Sequence, residues 1–433
     1  MRRSALIVLA AVFAAAGPAG AQTNFTTYVS VGDSLAAGFE SQSLVETHQN
    51  RSVPFLIARQ AGVQGFQQPL ISEPGIPPEL TLVSLLPAPL IAPKASTPGA
   101  PKNTALARPY NNLAVPGATA ADALTRTTDA GGLHDVILRG MGTQIQQAVA
   151  LRPTAITLWI GNNDVLGAAL RGRAIDGVTL TPTDPFRATY AQIVAALKPT
   201  GAFIVAATLP NVTAIPFVTT IPPYVVNGTG QPVLIAGNRV PLLGPDGPLP
   251  SNSLVTIAAS SLLAQGIGIP AVVGGRGTPL PDEVVLNPSE IAIIQDHVNV
   301  NNKSIRDICG AANIPVLDVQ AILNELSTTG IHVGGITLTS SFLSGGAFSY
   351  DGVHPNDIGY AVLANEFIRV INANGGTLPL VDLGPVLGVT SGAAGEVRAG
   401  ALRPSSSAWV PFEYSLEAYE ALLEAFPRVD GKP

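Results

Sequence analysis

The apolar run Tyr28–Val31 ends in Gly32-Asp33-Ser34-Leu35, and Ala36, Ala37 and Phe39 suit a helix that starts there. A serine at such a junction stands at the carboxyl end of a strand and beside a helix N-terminus. Free amides there favour negative charge, so a serine alkoxide or a tetrahedral oxyanion becomes less costly. Gly32 permits the tight turn. From this block alone Ser34 could equally be an ordinary helix cap, so its partners decide. Asp351-Gly352-Val353-His354-Pro355 stands just ahead of the last strong helical pattern. Histidine exchanges protons near neutral pH. An aspartate three residues earlier, across a glycine turn, can reach Nδ1 and fix the tautomer, which leaves Nε2 free for a serine proton. Singly, His354 reads as a capping or buried ring and Asp351 as a turn residue. With Ser34 they read as a nucleophile, its base and the group that orients the base, a set suited to acyl transfer.

Two further blocks could cradle an oxyanion. Gly161-Asn162-Asn163-Asp164 follows the run Ala155–Ile160, and a side-chain amide at a sheet's carboxyl edge can donate to developing negative charge. Asparagine and aspartate also dominate plain turns. Asn112-Leu113-Ala114-Val115-Pro116-Gly117-Ala118 offers the backbone N–H of Gly117 at close range, because no Cβ stands in the way.

Residues this far apart in the chain need a scaffold that gathers them at one edge. Tyr28–Val31, Ala155–Ile160, Phe203–Ala207 and Pro315–Val319 are short apolar runs bounded by Gly, Pro or Asp, the pattern of strands in a buried parallel sheet. Helical spacing fills the intervals. Phe186–Lys198 stops before Pro199, Ser289–Ala312 has Ser289 as its candidate cap, and Asn356–Ile371 follows Pro355. Strand–helix alternation predicts an α/β fold, a doubly wound sandwich. Hydrophobic residues at 46% and charged residues at 12% allow a large core. A net charge of −6 without any Lys/Arg run excludes a nucleic-acid partner.

The four blocks, in this order, resemble the SGNH/GDSL hydrolase family of lipases and esterases, whose members carry GDS-L, N-x-x-x-x-G, G-x-N-D and D-x-x-H. Each block is weak alone, and the ordered set is specific. The resemblance implies a three-layer α/β/α sandwich with a mostly parallel, flavodoxin-like sheet. It also implies that Ser34 is the nucleophile and His354 the general base and then acid, with Asp351 orienting it. The oxyanion would rest on the N–H groups of Ser34 and Gly117 and on the side-chain amide of Asn163. Asn162 precedes the matching position and reads as a turn residue, and Asp33 and Asp164 as residues that hold their loops. The expected reaction is hydrolysis of carboxylic esters carrying an acyl chain, with a small-molecule or lipid ester as the partner. The rivals are a carbohydrate O-deacetylase, which would need more than the 5% aromatic residues present to stack sugars, and a secreted non-catalytic binding protein on the same scaffold, which would show a damaged triad. The Gly-x-Ser-x-Gly elbow of α/β-hydrolases is missing around Ser34.

The spacings from Ser34 to Gly117 and from Asn163 to His354 exceed what a minimal member needs. The excess falls in two Pro-rich apolar insertions, about 65–110 and 211–281, within a hydrolase domain spanning 22–382. Such insertions could pack on the sheet, line an acyl groove or form a lid that touches a membrane or lipid interface transiently. Residues 383–433 read as a C-terminal extension packed on the domain, with one amphipathic helix over Tyr414–Phe426. Residues 1–21 read as a signal peptide. Arg2 and Arg3 precede an apolar run from Ala5 to Ala16, and Ala19-Gly20-Ala21 offers cleavage before Gln22, so the expected location is secreted or periplasmic. No cofactor or metal is expected. The five histidines, His48, His134, His297, His332 and His354, are scattered, and the single cysteine, Cys309, reads as a buried small residue.

Overall fold

The computed structural model describes residues 23–85, 88–387 and 411–430. The expected signal peptide lies outside them. In chain order the strands that matter are β1 (Tyr28–Gly32), β2 (Leu80–Ser84), β3 (Leu90–Pro93), β4 (Ala155–Trp159), β5 (Phe203–Ala207), β6 (Val316–Leu317), β7 (Ile331–Val333), β8 (Ile336–Leu338) and β9 (Glu413–Tyr414). Four of them form the central sheet in the order β1-β4-β5-β6, every pair parallel. Asn111–Val115 extends it beyond β1. Ser30 donates to the Asn111 carbonyl at 2.8 Å, and Leu113 and Val115 donate to Ser30 and Gly32.

Alternation across the pleat explains the layers. Val29, Val31, Ile156, Leu158, Ile204 and Ala206 face one apolar cluster, shared with the helices Gln144–Ala150, Asn163–Leu170, Thr183–Leu197 and Pro288–Ala311. Tyr28, Ala155, Trp159, Val205 and Ala207 face a second, shared with Val53–Gln60 and Asp357–Ala373. Burying a Val, Leu or Ile side chain contributes about 1.5–3 kcal/mol, and a one-residue slip would swap the two faces. The result is the three-layer α/β/α sandwich expected.

One helix cap differs from expectation and one helix is short. Asn287, not Ser289, caps the long helix, accepting from the amides of Ser289 and Glu290 while Glu290 accepts from the Asn287 N–H. Proline at position 288 takes the first helical place, where its missing N–H costs nothing. The helix after β1 is a single turn, Ser34–Ala37, ended by Gly38 in the left-handed region. The helix Asp357–Ala373 is capped by Asn356, and Cys309 is buried and unpaired on Pro288–Ala311. Among the described residues no helix is long and apolar enough to cross a membrane.

The insertions carry little regular structure. The first contributes the antiparallel pair β2–β3, to which β9 adds in parallel. The second contributes two-residue hairpins at Leu234–Arg239 and Leu243–Pro248. Pro and Gly at this density remove donors and supply turns, which is why neither becomes a separate sheet layer.

Candidate active site

Three chain segments deliver their polar residues to the same edge of the sheet because their strands are parallel. Gly32-Asp33-Ser34 leaves β1, Pro116-Gly117 leaves the segment beside it, and Gly161-Asn162-Asn163 leaves β4. Crevices outside the carboxyl ends of parallel strands are where such folds bind ligands. Asp33 ties two of these loops together. Its carboxylate accepts from the Leu35 N–H at 3.2 Å, the Asn162 N–H at 3.2 Å and the Asn162 side-chain amide at 2.8 Å. Burial pushes Asp33 up to about 6 against the pull of those donors. Asp164, pushed up by burial to about 7, accepts from the Ala120 N–H at 2.8 Å. Both aspartates therefore hold backbone, as the sequence reading had them.

His354 and Asp351 come from the loop before Asp357–Ala373. His354 Nδ1 lies 2.9 Å from Asp351 Oδ2, and both side chains are fully buried. Asp351 Oδ2 also accepts from the Gln42 N–H at 2.8 Å. Its Oδ1 accepts from the Val353 and His354 N–H groups, each at 2.8 Å, and from Ser349 Oγ at 3.0 Å. Burial alone would raise this carboxyl, but the His354 ring and the surrounding donors outweigh it and hold Asp351 below the usual carboxylate range. His354 Nε2 is buried without a hydrogen-bond partner. A hydrogen-bonded Nδ1 and an uncommitted Nε2 are the arrangement a general base requires.

Ser34 and His354 line one cavity. Ser34 is 2% exposed and His354 1%. The remaining wall is mostly apolar, built from Leu35, Trp159 and Leu166, from Val319, Ile322, Leu323 and Leu326, and from residues of the stretch 347–363; beyond Ser34 and His354, Asn162 and the Trp159 indole are the only polar side chains among the described lining residues. The space inside the cavity together with the open solvent at its mouth is about 830 Å³. Of the roles left open for the two insertions, lining this cavity is a minor one. Only Val212 and Ile215 come from the second, and none of the lining comes from the first. The helix Val319–Thr328, the β7–β8 hairpin and the stretch 347–363 together supply most of the wall. The sequence analysis did not single out these elements, and the signal present was the apolar stripe of Val319, Ile322, Leu323 and Leu326 at helical spacing.

The oxyanion candidates divide. Gly117 has φ +80°, and a Cβ there would lie 2.5 Å from the Ala425 carbonyl oxygen, so only glycine fits. Gly161 has φ +116°, with the Phe186 ring 2.8 Å from where a Cβ would be. The Asn163 side-chain amide donates to the Ala118 carbonyl at 2.8 Å, which sets it beside Gly117 with its second amide hydrogen uncommitted. Asn162, read from sequence as a turn residue, is the asparagine that lines the cavity, with its amide on Asp33.

A second buried polar cluster braces the site from behind. His48 Nδ1 lies 3.0 Å from Asp357 and 3.2 Å from Glu40, and Nε2 lies 2.8 Å from Glu79; Arg51 pairs with Asp357. Glu40, His48 and Asp357 are the one grouping among the described residues close enough to share a metal ion, and carboxylates on both ring nitrogens suit an imidazolium in that place. Burial would lower the His48 ring, but the hydrogen bonds it donates to Asp357, Glu40 and Glu79 outweigh it and push it up to about 12. A raised folded value means stability fully present below the ordinary 6.5 and lost as pH rises through about 12. His48→Ala is therefore expected to cost about 2–3 kcal/mol near pH 6, below the 3–5 of a fully buried pair. Denaturant melts at pH 6 and pH 10.5 check this, and the gap between wild type and variant should narrow at the higher pH.

The GDSL-like Lipase/Acylhydrolase family model matches residues 28–367. Among solved structures the chain is similar to a lipase/acylhydrolase from Enterococcus faecalis (12% identity, TM-score 0.34, 82% of this chain and 98% of that one). It is also similar to a catalytic mutant of an acetylxylan esterase from Geobacillus stearothermophilus (13%, TM-score 0.33, 79% and 93%). A third is an α/β hydrolase from the metagenome of Lake Arreo, Spain (13%, TM-score 0.35, 80% and 94%). No curated protein matches the chain. With its four motif blocks gathered at one sheet edge and a family match over most of its length, the chain belongs to the GDSL-like lipase/acylhydrolase family.

Proposed function

We propose that this protein is an exported serine ester hydrolase acting on carboxylic esters with an aliphatic acyl chain. The observation that carries the reading is that Ser34 and His354 line one cavity whose remaining wall is mostly apolar. His354 Nε2 takes the Ser34 proton as Oγ attacks the ester carbonyl, and the oxyanion rests on the N–H groups of Ser34 and Gly117 and the amide of Asn163. The protonated ring then gives its proton to the departing alkoxide. Water enters, loses a proton to His354, and frees the acid from the acyl-serine. Asp351 stays ionised and holds the ring throughout.

Acyl specificity follows from the wall. Each methylene moved from water to an apolar pocket is worth about 0.8 kcal/mol. Along 4-nitrophenyl esters from acetate to palmitate, kcat/KM should therefore climb about three- to fourfold per methylene until the cavity is full, then fall. A profile highest at acetate would turn the reading toward a deacetylase. Leu323→Trp, which narrows the cavity, should move the maximum to shorter chains.

A further inference from the structure

An ester has two arms, and the cavity houses only one. The other side of the site is closed by the C-terminal segment 411–430, none of whose residues lines the cavity. Tyr414 in β9 donates its N–H to Ser260 Oγ at 2.8 Å and its hydroxyl to Gln42 Oε1 at 3.0 Å, and Gln42 in turn donates to Asp351. The helix Leu416–Ala425 follows. The Ala425 carbonyl oxygen stands against Gly117. The Phe426 ring lies 5.4 Å from the His354 ring and 5.6 Å from that of Phe39, and Phe426 is 2% exposed. Arg171 secures this end, donating to the carbonyls of Phe426 at 3.0 Å and Leu423 at 3.1 Å. A mostly buried guanidinium with two backbone carbonyls for acceptors fixes the position of the segment without adding a carboxylate near the site.

Resting on the ester-hydrolase reading, we propose that Phe426 is the wall of the leaving-group subsite and determines which alcohols the enzyme releases. With the acyl arm in the cavity and the carbonyl oxygen at Gly117, the alkoxy oxygen must face His354 to receive its proton, and the group attached to it meets Phe426. A small primary alcohol fits beside the ring; a bulky one collides with it. The residue acts on the alcohol alone, so it shifts selectivity between alcohols at constant acyl group rather than the chemistry of Ser34.

The test uses octanoate esters of ethanol, benzyl alcohol and 2-naphthylmethanol, primary alcohols chosen so that size is what differs most, with acid release followed by titration of the full-length mature protein. Phe426→Ala is expected to raise the naphthylmethyl-to-ethyl ratio of kcat/KM by about 10–200-fold, the range for a pocket that gains a few carbons of space. Phe426→Trp is expected to lower it and covers the case in which the alanine variant is too unstable to assay. General destabilisation would depress all three esters together and leave the ratio in place. A ratio that stays within twofold of wild type in both variants, while hydrolysis remains dependent on Ser34, overturns the assignment of Phe426 alone. Absence of hydrolysis of every ester by the wild type overturns the ester-hydrolase reading and this inference with it.

Discussion

Ser34→Ala should leave folding intact and hydrolysis reduced on the order of 10⁴–10⁶-fold, the scale seen when a serine nucleophile is removed from an otherwise complete site. The side chain is buried but small, and among the described residues its hydroxyl makes no hydrogen bond of the kind by which Asp33, Asn162 and Asp351 hold loops. Removing one oxygen from this position therefore disturbs the cavity wall and little else, and the melting temperature should move by no more than a few degrees. The backbone N–H of residue 34 survives the change, as do Gly117 and Asn163, so a small residual rate over background is expected from the oxyanion donors. Two measurements separate the outcomes. Hydrolysis of 4-nitrophenyl octanoate gives the rate, and a fluorophosphonate probe, which needs an activated serine, reports covalent attachment. Wild type should be labelled at Ser34 and the variant not at all. An unchanged rate in Ser34→Ala would end the acyl-enzyme mechanism.

The sheet and the four motif blocks were legible in the sequence because each rests on local rules. β1, β4 and β5 are five-residue strands, apolar but for Ser30, Gly32 and Thr157, and strands of that kind bury both faces in a covered parallel sheet. The chemistry-bearing residues were legible for a related reason. Glycines at 117 and 161 mark positive φ, and the polar residues beside them have nowhere to go but the sheet edge. What the sequence did not reveal is long-range packing without a local signature. Val319, Ile322, Leu323 and Leu326 have the spacing of any amphipathic helix, and nothing local says that their apolar stripe faces a cavity rather than a neighbouring helix. The Ser260–Tyr414 and Arg171–Phe426 contacts span 154 and 255 residues. Such contacts leave no periodicity to read. The shortness of the helix at Ser34 likewise depends on Gly38, whose Cβ would meet Ser52 at 2.7 Å, a tertiary constraint.

Asp351→Asn is expected to cut kcat about 10⁴-fold, the scale on which a wrongly held imidazole tautomer fails, and also to destabilise the fold. The geometry explains why both follow. Asp351 accepts five hydrogen bonds in a space with no solvent, three on Oδ1 and two on Oδ2. An amide group placed at Oδ2 would confront His354 Nδ1 and the Gln42 N–H with a donor. The ring could answer by moving its proton to Nε2, where it can no longer accept from Ser34, but the Gln42 amide has no such alternative. Turning the amide round sets it against three donors instead of two. One buried N–H left unpaired costs about 1–3 kcal/mol, so a loss of that order in denaturant melts should accompany the kinetic defect. The pH dependence carries the sign of the cause. Asp351 is held below the usual carboxylate range in the fold, so its stabilisation is present above the ordinary value of 3.8 and is lost as pH falls through the lower folded value. The variant lacks that titration. Its stability deficit relative to wild type should therefore be largest at neutral pH and shrink below pH ~4, while the loss of kcat persists wherever the enzyme is folded. A deficit independent of pH would mean that Asp351 acts by shape alone.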